Sequence, residues 1–469
     1  MQGIIDFFIA CANWFWGLPI LILIIGGGLY MSIRLGFPQV SKIGYINSQT
    51  FGKMFSKSED GVSPFAAACS ALGASIGASN IVGVPVAIAL GGPGAVFWMW
   101  VIAIVGCCTK YVEIALAMKY RTKNEKGEWT GGSFSYVKEL FGGKKAGYII
   151  AVICAFFTMI AGLPSIAAQT LSAVSQVAVF GINGTLFGII VAVIVGLIIF
   201  GGIKRIAAVM EKVVPVMAAI YVVGIIIILF HNAGEIIPSI SSIFVYAFAP
   251  HAAVGGFAGS TIAMALRWGG ARGVYSNEAG FGSAPVAHCT STADHPIRQA
   301  VWGVFEVVVD TLIVCTATAL AILTTGVWKD PGIDSGALGQ AAFHTVFGAA
   351  GDYFVAICVL LFVLTTITVV IFYDEKQAEF LFKTTKAAVA WRVLSIITMV
   401  IVTFGMDLVV MYQLTDFFVA LFIIPNMIAV IWLIPEVAKL QKEYFNTPGM
   451  YYLADMEQKK AKMAAKSNK

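Results

Sequence analysis

Charge is scarce in this 469-residue chain: Asp, Glu, Lys and Arg make up 12% of it, while 59% is hydrophobic. A soluble globular protein carries roughly 25% charged residues. That shortfall excludes a cytosolic enzyme, a disordered protein and a nucleic-acid binder. The mean hydropathy of +0.87 and the apolar runs that fill most of the chain indicate a polytopic membrane protein instead. Metal-binding signatures are missing as well. The eight Cys residues form no CxxC pair and no Cys/His spacing, and they lie in or beside apolar segments as small apolar residues. The five His residues form no HExxH cluster, and the Gly-rich stretches lack the Lys of a P-loop. The sequence therefore implies neither an enzyme nor a cofactor. The N-terminus also lacks the basic region of a signal peptide. Asp6 is the only charge before Arg34, so this segment is expected to stay in the mature chain.

A helix needs roughly 20 mostly apolar residues to cross the hydrocarbon core of a bilayer. That rule predicts an all-α protein with eleven spans, at 17–35, 64–90, 93–117, 147–179, 184–202, 207–231, 252–269, 300–325, 351–373, 390–405 and 409–434. Alternating ten-residue strands of an outer-membrane barrel are absent. With an external N-terminus, every Lys and Arg but Lys329 falls at or beyond a cytoplasmic span end, Arg267, Arg272 and Arg298 included. The positive-inside rule then predicts a cell (inner) membrane protein with its N-terminus outside and its C-terminus in the cytoplasm. The cytoplasmic loop 118–146 contains Ser133–Phe141, a candidate interfacial helix, and the Lys-rich tail 455–469 suits an anionic lipid surface.

Two spans resist a continuous-helix reading. The second contains Ser70-Ala-Leu-Gly-Ala-Ser-Ile-Gly-Ala-Ser-Asn80-Ile-Val-Gly83, and the seventh contains Gly255-Gly-Phe-Ala-Gly259-Ser260-Thr261. Small residues also allow close helix packing, so composition alone leaves both readings open. Spacing favours the break: the two candidates lie five spans apart, and each is followed by four ordinary spans. Two successive five-span units enter the membrane from opposite sides, as in an inverted-repeat secondary transporter whose interrupted helices meet near the midplane. The expected organisation is one transporter domain: an extra helix and loop in 1–61, a first repeat in 62–231, a second in 252–437 and a tail in 438–469. Unwound backbone exposes carbonyls for a hard cation and N–H groups for a carboxylate. Such a site suits an amino-acid zwitterion accompanied by a small cation.

Gly91-Gly-Pro-Gly-Ala-Val-Phe-Trp-Met-Trp100-Val-Ile-Ala-Ile-Val-Gly106 resembles the signature of the alanine or glycine:cation symporter family. Gly273-Val-Tyr-Ser-Asn-Glu-Ala-Gly-Phe-Gly-Ser-Ala-Pro285, followed by His295-Pro296, Arg298-Gln299 and Asp310-Thr311, resembles that family's other characteristic stretch. Gly73 to Glu113 is also similar to the first two core helices of the bacterial leucine-transporter fold. The resemblance implies that fold, preceded by one extra helix, and sodium-driven uptake of alanine or glycine by alternating access. Two departures bear on substrate preference and gating. Gly77-Ala78-Ser79-Asn80 stands where the family usually has Gly-Thr-Gly-Asn, and Ile371-Phe-Tyr-Asp-Glu375 where it usually has Trp-Ser-Tyr-Tyr-Gly.

The same resemblance implies a residue set. Gly73 and Ile76 would offer carbonyls to one sodium, with hydroxyls from Thr365 and Thr366. Read alone, the two threonines are a back-bonding pair within their own helix; beside the broken second span they read as ion ligands. Asn80 and the Ser75 carbonyl would serve a second cation site next to the substrate carboxylate. Asp310 lies deep in the eighth span, where a charge costs roughly 2.5–3.5 kcal/mol on insertion scales. It reads as a sodium ligand or proton carrier, or as a helix-orienting carboxylate satisfied by Ser and Thr. Gln169 is the candidate to touch substrate. Phe257 would cover the pocket, while Ala78, Ser79, Gly259 and Ser260 would line it. Lys110 and Glu113 are expected to pair at a partly wet end of the third span, and Glu278 either holds an inner gate or caps a helix.

Overall fold

The computed structural model describes residues 2–54, 61–248 and 261–457. Helices α1 (Gln2–Phe15) and α2 (Leu18–Leu35) meet at Gly17 and form one apolar run from Phe7 to Leu35. Next come α3 (Pro64–Ser75) and α4 (Val84–Gly91), two halves of one bent span, then α5 (Gly94–Tyr120). A short hairpin pairs Thr122–Lys123 with Trp129–Thr130. The chain continues through α6 (Lys145–Val177), α7 (Gly184–Ile199), α8 (Gly202–His231) and α9 (Ile236–Phe248). The second half contains α10 (Ile262–Asn277), α11 (Pro296–Val307) and α12 (Thr316–Thr325). It ends with α13 (Leu338–Phe347), α14 (Ala349–Phe382), α15 (Thr385–Ile401), α16 (Leu408–Trp432) and α17 (Ile434–Asn446).

Eight of the described helices are long and apolar enough to cross a membrane, or nine with the bent pair taken as one span. The sequence predicts eleven, and the differences fall on the fifth and seventh. Helix α7 has 16 residues and rises about 24 Å, short of the roughly 30 Å hydrocarbon core. The seventh span is described only from Thr261 onward, and its helix α10 carries Arg267 and Arg272. Helix α9 lies in a segment read as a connection. Its buried face, Ser239, Ile243 and Ala247, packs on α5, where the Tyr246 carbonyl occupies the space that a Cβ on Gly94 would need.

Helix α5 is the axis of the fold, enclosed by α2, α10, α11 and α9, while α6 lies between α14 and α16. Two expected placements change as a result. The loop-charge pattern puts Arg267 and Arg272 at the cytoplasmic end, with Lys119. Instead Gly269 packs on Ala95, Gly273 packs on Met99, and the Arg267 guanidinium donates to Asn13 Oδ1 at 3.2 Å. Both arginines therefore sit at the Gly94 end of α5, opposite Lys119. Ser133–Val137 is not interfacial either: its residues are buried, and the Tyr136 hydroxyl donates to Asn426 Oδ1 at 2.6 Å. At the Lys119 end, Lys119 donates to Glu436 of α17 and holds that carboxyl below its usual range.

Candidate transport site

The break in the second span is held open by specific bonds. Helix α3 starts at Ser63, whose hydroxyl accepts from the Ala66 N–H at 3.0 Å, and it ends where Ile76 turns to φ −76°, ψ 87°. A π-helical turn, Ser79–Gly83, precedes α4, and the two halves are bent by 47°. The Gly77 N–H, freed by the unwinding, donates to Asn80 Oδ1 at 3.0 Å. The other end of the Asn80 amide donates to Asp310 Oδ1 at 2.7 Å and to Ser276 Oγ at 3.1 Å. Asp310 Oδ2 accepts from Ser276 Oγ at 2.7 Å and from Thr311 Oγ1 at 2.8 Å. Asp310 itself lies in a second π-helical stretch, Val308–Cys315, between α11 and α12. Two widened turns thus face each other, each presenting a polar side chain. Such turns recur at functional sites because the wider ring leaves backbone groups unpaired.

On the other flank of the break, the Thr366 hydroxyl of α14 donates to the Gly73 carbonyl at 3.1 Å, with the Ala74 carbonyl at 3.4 Å. The approach requires glycine at 77, where a Cβ would stand 2.7 Å from Thr366 Oγ1. The structure therefore brings Gly73 and Thr366 together but not Thr365. The Thr365 hydroxyl back-bonds to the Phe362 carbonyl at 2.9 Å and faces Met217. Ile76 is buried at the break. Ser75 is also buried, its hydroxyl donating to the Ala71 carbonyl at 3.2 Å. Phe257, Gly259 and Ser260, and with them the expected break in the seventh span, lie outside the described residues. The described helix restarts at Thr261, which accepts from the Met264 N–H at 3.2 Å.

Two cavities adjoin the break, and Ser79 and Tyr275 line both. The larger, about 270 Å³, opens beside Asn13, Arg267 and Trp268 and holds Arg272 across from Asp416 of α16. The smaller is lined by Ala74, Thr366 and Gln169, and it continues past Ser165 to Thr158, Glu278 and Asp374. Gln169 therefore faces a cavity rather than a packing seam. Ala78 is buried at the break. Glu278 closes the end of α10 in a left-handed conformation, φ 55°, and accepts from Ser283 Oγ at 2.7 Å.

Lys110 and Glu113 do not pair, and neither is wet: both are fully buried. Lys110 donates to the Asn277 carbonyl at 2.7 Å and lies 3.6 Å from Glu306, which also bonds His288. Glu113 accepts from the Gly282 N–H at 2.9 Å and from Asn426 Nδ2 at 2.6 Å. Sequence reasoning missed Ser276, Asp416, Glu306 and Asn426. Ser276 stood in view inside the Gly273–Pro285 stretch, and the three others were legible as polar residues within apolar spans, the property that singled out Asp310.

Residues 1–456 match the model of the sodium:alanine symporter family. The chain belongs to that family. Its members are sodium-coupled transporters, not enzymes. Across 96% of this chain and 95% of its relative, it is 42% identical to an uncharacterized transporter, YflA, of Bacillus subtilis. It is 39% identical to the sodium/alanine symporter AgcS of Methanococcus maripaludis, over 79% of this chain and 82% of AgcS. It is 34% identical to a probable sodium/glutamine symporter, GlnT, of Bacillus subtilis, over 95% and 91% respectively. Among solved structures it resembles MhsT in complex with L-phenylalanine, with a TM-score of 0.56 at 12% identity. The match covers 82% of this chain and 99% of that one. It shows a shared fold, the leucine-transporter architecture expected of this family member.

Proposed function

We propose that this protein imports small neutral amino acids, alanine or glycine, by sodium-coupled alternating access. The observation that carries the reading is the pair of polar clusters flanking one broken helix. Thr366 reaches the Gly73 carbonyl on one side, and Asn80 meets Asp310 on the other. Gly73 and Thr366 then offer oxygens to one sodium, joined by the Ile76 carbonyl, in the ligand type a hard cation prefers. Asn80 and Asp310, with the Ser75 carbonyl, serve a second cation beside the substrate carboxylate. The zwitterion occupies the space between Ser79 and Gln169, and the family resemblance supplies Ala78, Gly259 and Ser260 as lining residues and Phe257 as its cover. The repeats 62–231 and 252–437 rock about this point, with the N-terminus outside and the C-terminus in the cytoplasm. The larger cavity then faces out and the smaller one in. Coupling requires sodium and substrate to favour the same states.

A proton-coupled reading would use Asp310 as carrier. The geometry favours sodium, since that carboxylate accepts from three donors, Asn80, Ser276 and Thr311. Radiolabelled alanine uptake into proteoliposomes, with a sodium or a pH gradient imposed separately, decides between them. Uptake should follow sodium alone, and uptake driven by protons in sodium-free buffer overturns the sodium claim. Competition by glycine, D-alanine and glutamine in the same assay ranks the substrates.

A further inference from the structure

The smaller cavity extends well beyond the residues that the proposed function uses. Asp374 lines its far end, eight residues past Thr366 on α14 and so about 12 Å further along the helix. Two carboxylates, Asp374 and Glu278, line this cavity, and among the described residues no Lys or Arg does. Three of the residues that line it each carry a buried side-chain atom with no hydrogen-bond partner: Gln169 Oε1, Tyr373 Oη and Asp374 Oδ2. Their residues are 5%, 3% and 2% exposed. The basic groups nearby are committed elsewhere. Arg392 holds Glu375, with Nη2 donating to Oε1 at 2.8 Å, and Lys376 donates to Glu379 at 2.9 Å. The Trp391 indole N–H approaches the Asp374 carboxylate as a weak contact, and neither Trp391 Nε1 nor Asp374 Oδ2 closes a full hydrogen bond. Across the cavity α6 has Gly162, where any Cβ would collide with the Asp374 carboxylate, so the sequence keeps space there for this group.

A buried carboxylate without a partner is costly unless its charge is compensated. Hydrogen bonding within the fold does not compensate Asp374 Oδ2. A cation passing through the cavity does, and oxygen ligands select a hard one. We infer that Asp374, with the Tyr373 hydroxyl, is a second station for the coupling cation, on its path from the Gly73–Thr366 site to the Lys119 end of the molecule. A zwitterion, with no net charge, gains far less there, so the station acts on the cation's release more than on the substrate's.

The inference rests on sodium coupling, and its test separates the two. Wild-type protein in proteoliposomes is assayed for alanine uptake against external sodium, then against internal sodium, which inhibits by rebinding from the release side. If wild-type uptake ignores external sodium, the proposed function fails before any variant is compared. Losing a charged ligand weakens binding roughly tenfold or more. The internal sodium concentration giving half-inhibition should therefore rise about that much in Asp374→Asn, while external half-activation moves less than twofold. Asp374→Glu should stay near wild type. Tyr373→Phe should shift internal inhibition in the same direction by a smaller factor, and it carries the test if Asp374→Asn does not fold. Unchanged internal inhibition in these variants, or equal shifts on both sides, overturns the inference.

Discussion

Thr365 and Thr366 are adjacent, carry the same side chain and are both buried, but their hydroxyls do different things. A helix turns 100° per residue, so two neighbours point in different directions. Thr366 faces the break and donates to Gly73, while Thr365 bonds back within its own helix. Thr366→Ala should therefore raise the sodium concentration for half-maximal alanine uptake about tenfold, the effect of losing one ligand worth roughly 1–2 kcal/mol. Thr365→Ala should leave it within about twofold. Sodium-activation curves of the two variants in proteoliposomes check the assignment, and equal responses would sink it. The pair also shows where sequence reading stops. The residue types and their place in a span were legible, but the rotation that turns one toward α3 depends on how α14 packs. Asn80 and Asp310 were legible for another reason. Polar groups are so expensive in a bilayer that these two stand out against the apolar residues around them, although the bond between them does not.

Among the helices, the long apolar runs were readable because bilayer thickness imposes a length, and the bent second span was readable from its small residues. Two features were not. Helix α9 is short and amphipathic, so a rule tuned to twenty apolar residues passes over it. The π-helical stretches Ser79–Gly83 and Val308–Cys315 widen a helix without altering its apolar composition, so no pattern of residue types marks them. The α9 packing yields a direct test. Because the Tyr246 backbone fills the space beside Gly94, Gly94→Val cannot be relieved by a rotamer change and must push α9 off α5. Overpacking of this kind typically costs about 1–3 kcal/mol. The melting temperature of the detergent-solubilised variant, followed by size-exclusion chromatography, should fall by several degrees. Gly234→Val, where a Cβ meets open space, should not move it.

Taken whole, the molecule divides its few charges between a buried brace and a basic end. The brace joins Lys110 of α5, the end of α10 at Asn277, Glu306 of α11 and His288, and so ties together elements from both halves of the chain. Removing one member of a buried pair strands the other and costs about 3–5 kcal/mol, whereas replacing both with apolar residues is often neutral. Glu306→Ala should sharply reduce folded protein recovered from membranes, and Lys110→Met with Glu306→Leu should recover part of it, as quantified by the monodisperse peak. No recovery in the double variant would mean that assembly needs the bonds to Asn277 and His288 as well as the ion pair.

The basic end carries the proposed direction of the molecule in the bilayer. Lys119, Arg121 and Lys145 gather at the α17 end of α5, while Arg267 and Arg272 sit at the other, one bonded to Asn13 and the other facing Asp416 within a cavity. These two are held by the protein itself and so need not obey the loop-charge bias that orients a membrane chain. Setting them aside leaves the asymmetry standing, in keeping with the proposed orientation, in which the Lys119 end faces the cytoplasm. Engineered cysteines read this directly, because seven of the eight native Cys residues are buried and only Cys11 is partly accessible. In a Cys11→Ser background, a membrane-impermeant maleimide should label Gly332→Cys, in the exposed turn after Lys329, in intact cells. It should label Met450→Cys, beyond α17, only after permeabilisation. The reverse pattern would place the larger cavity inside, so that sodium would enter past Asp374 before it reached Thr366.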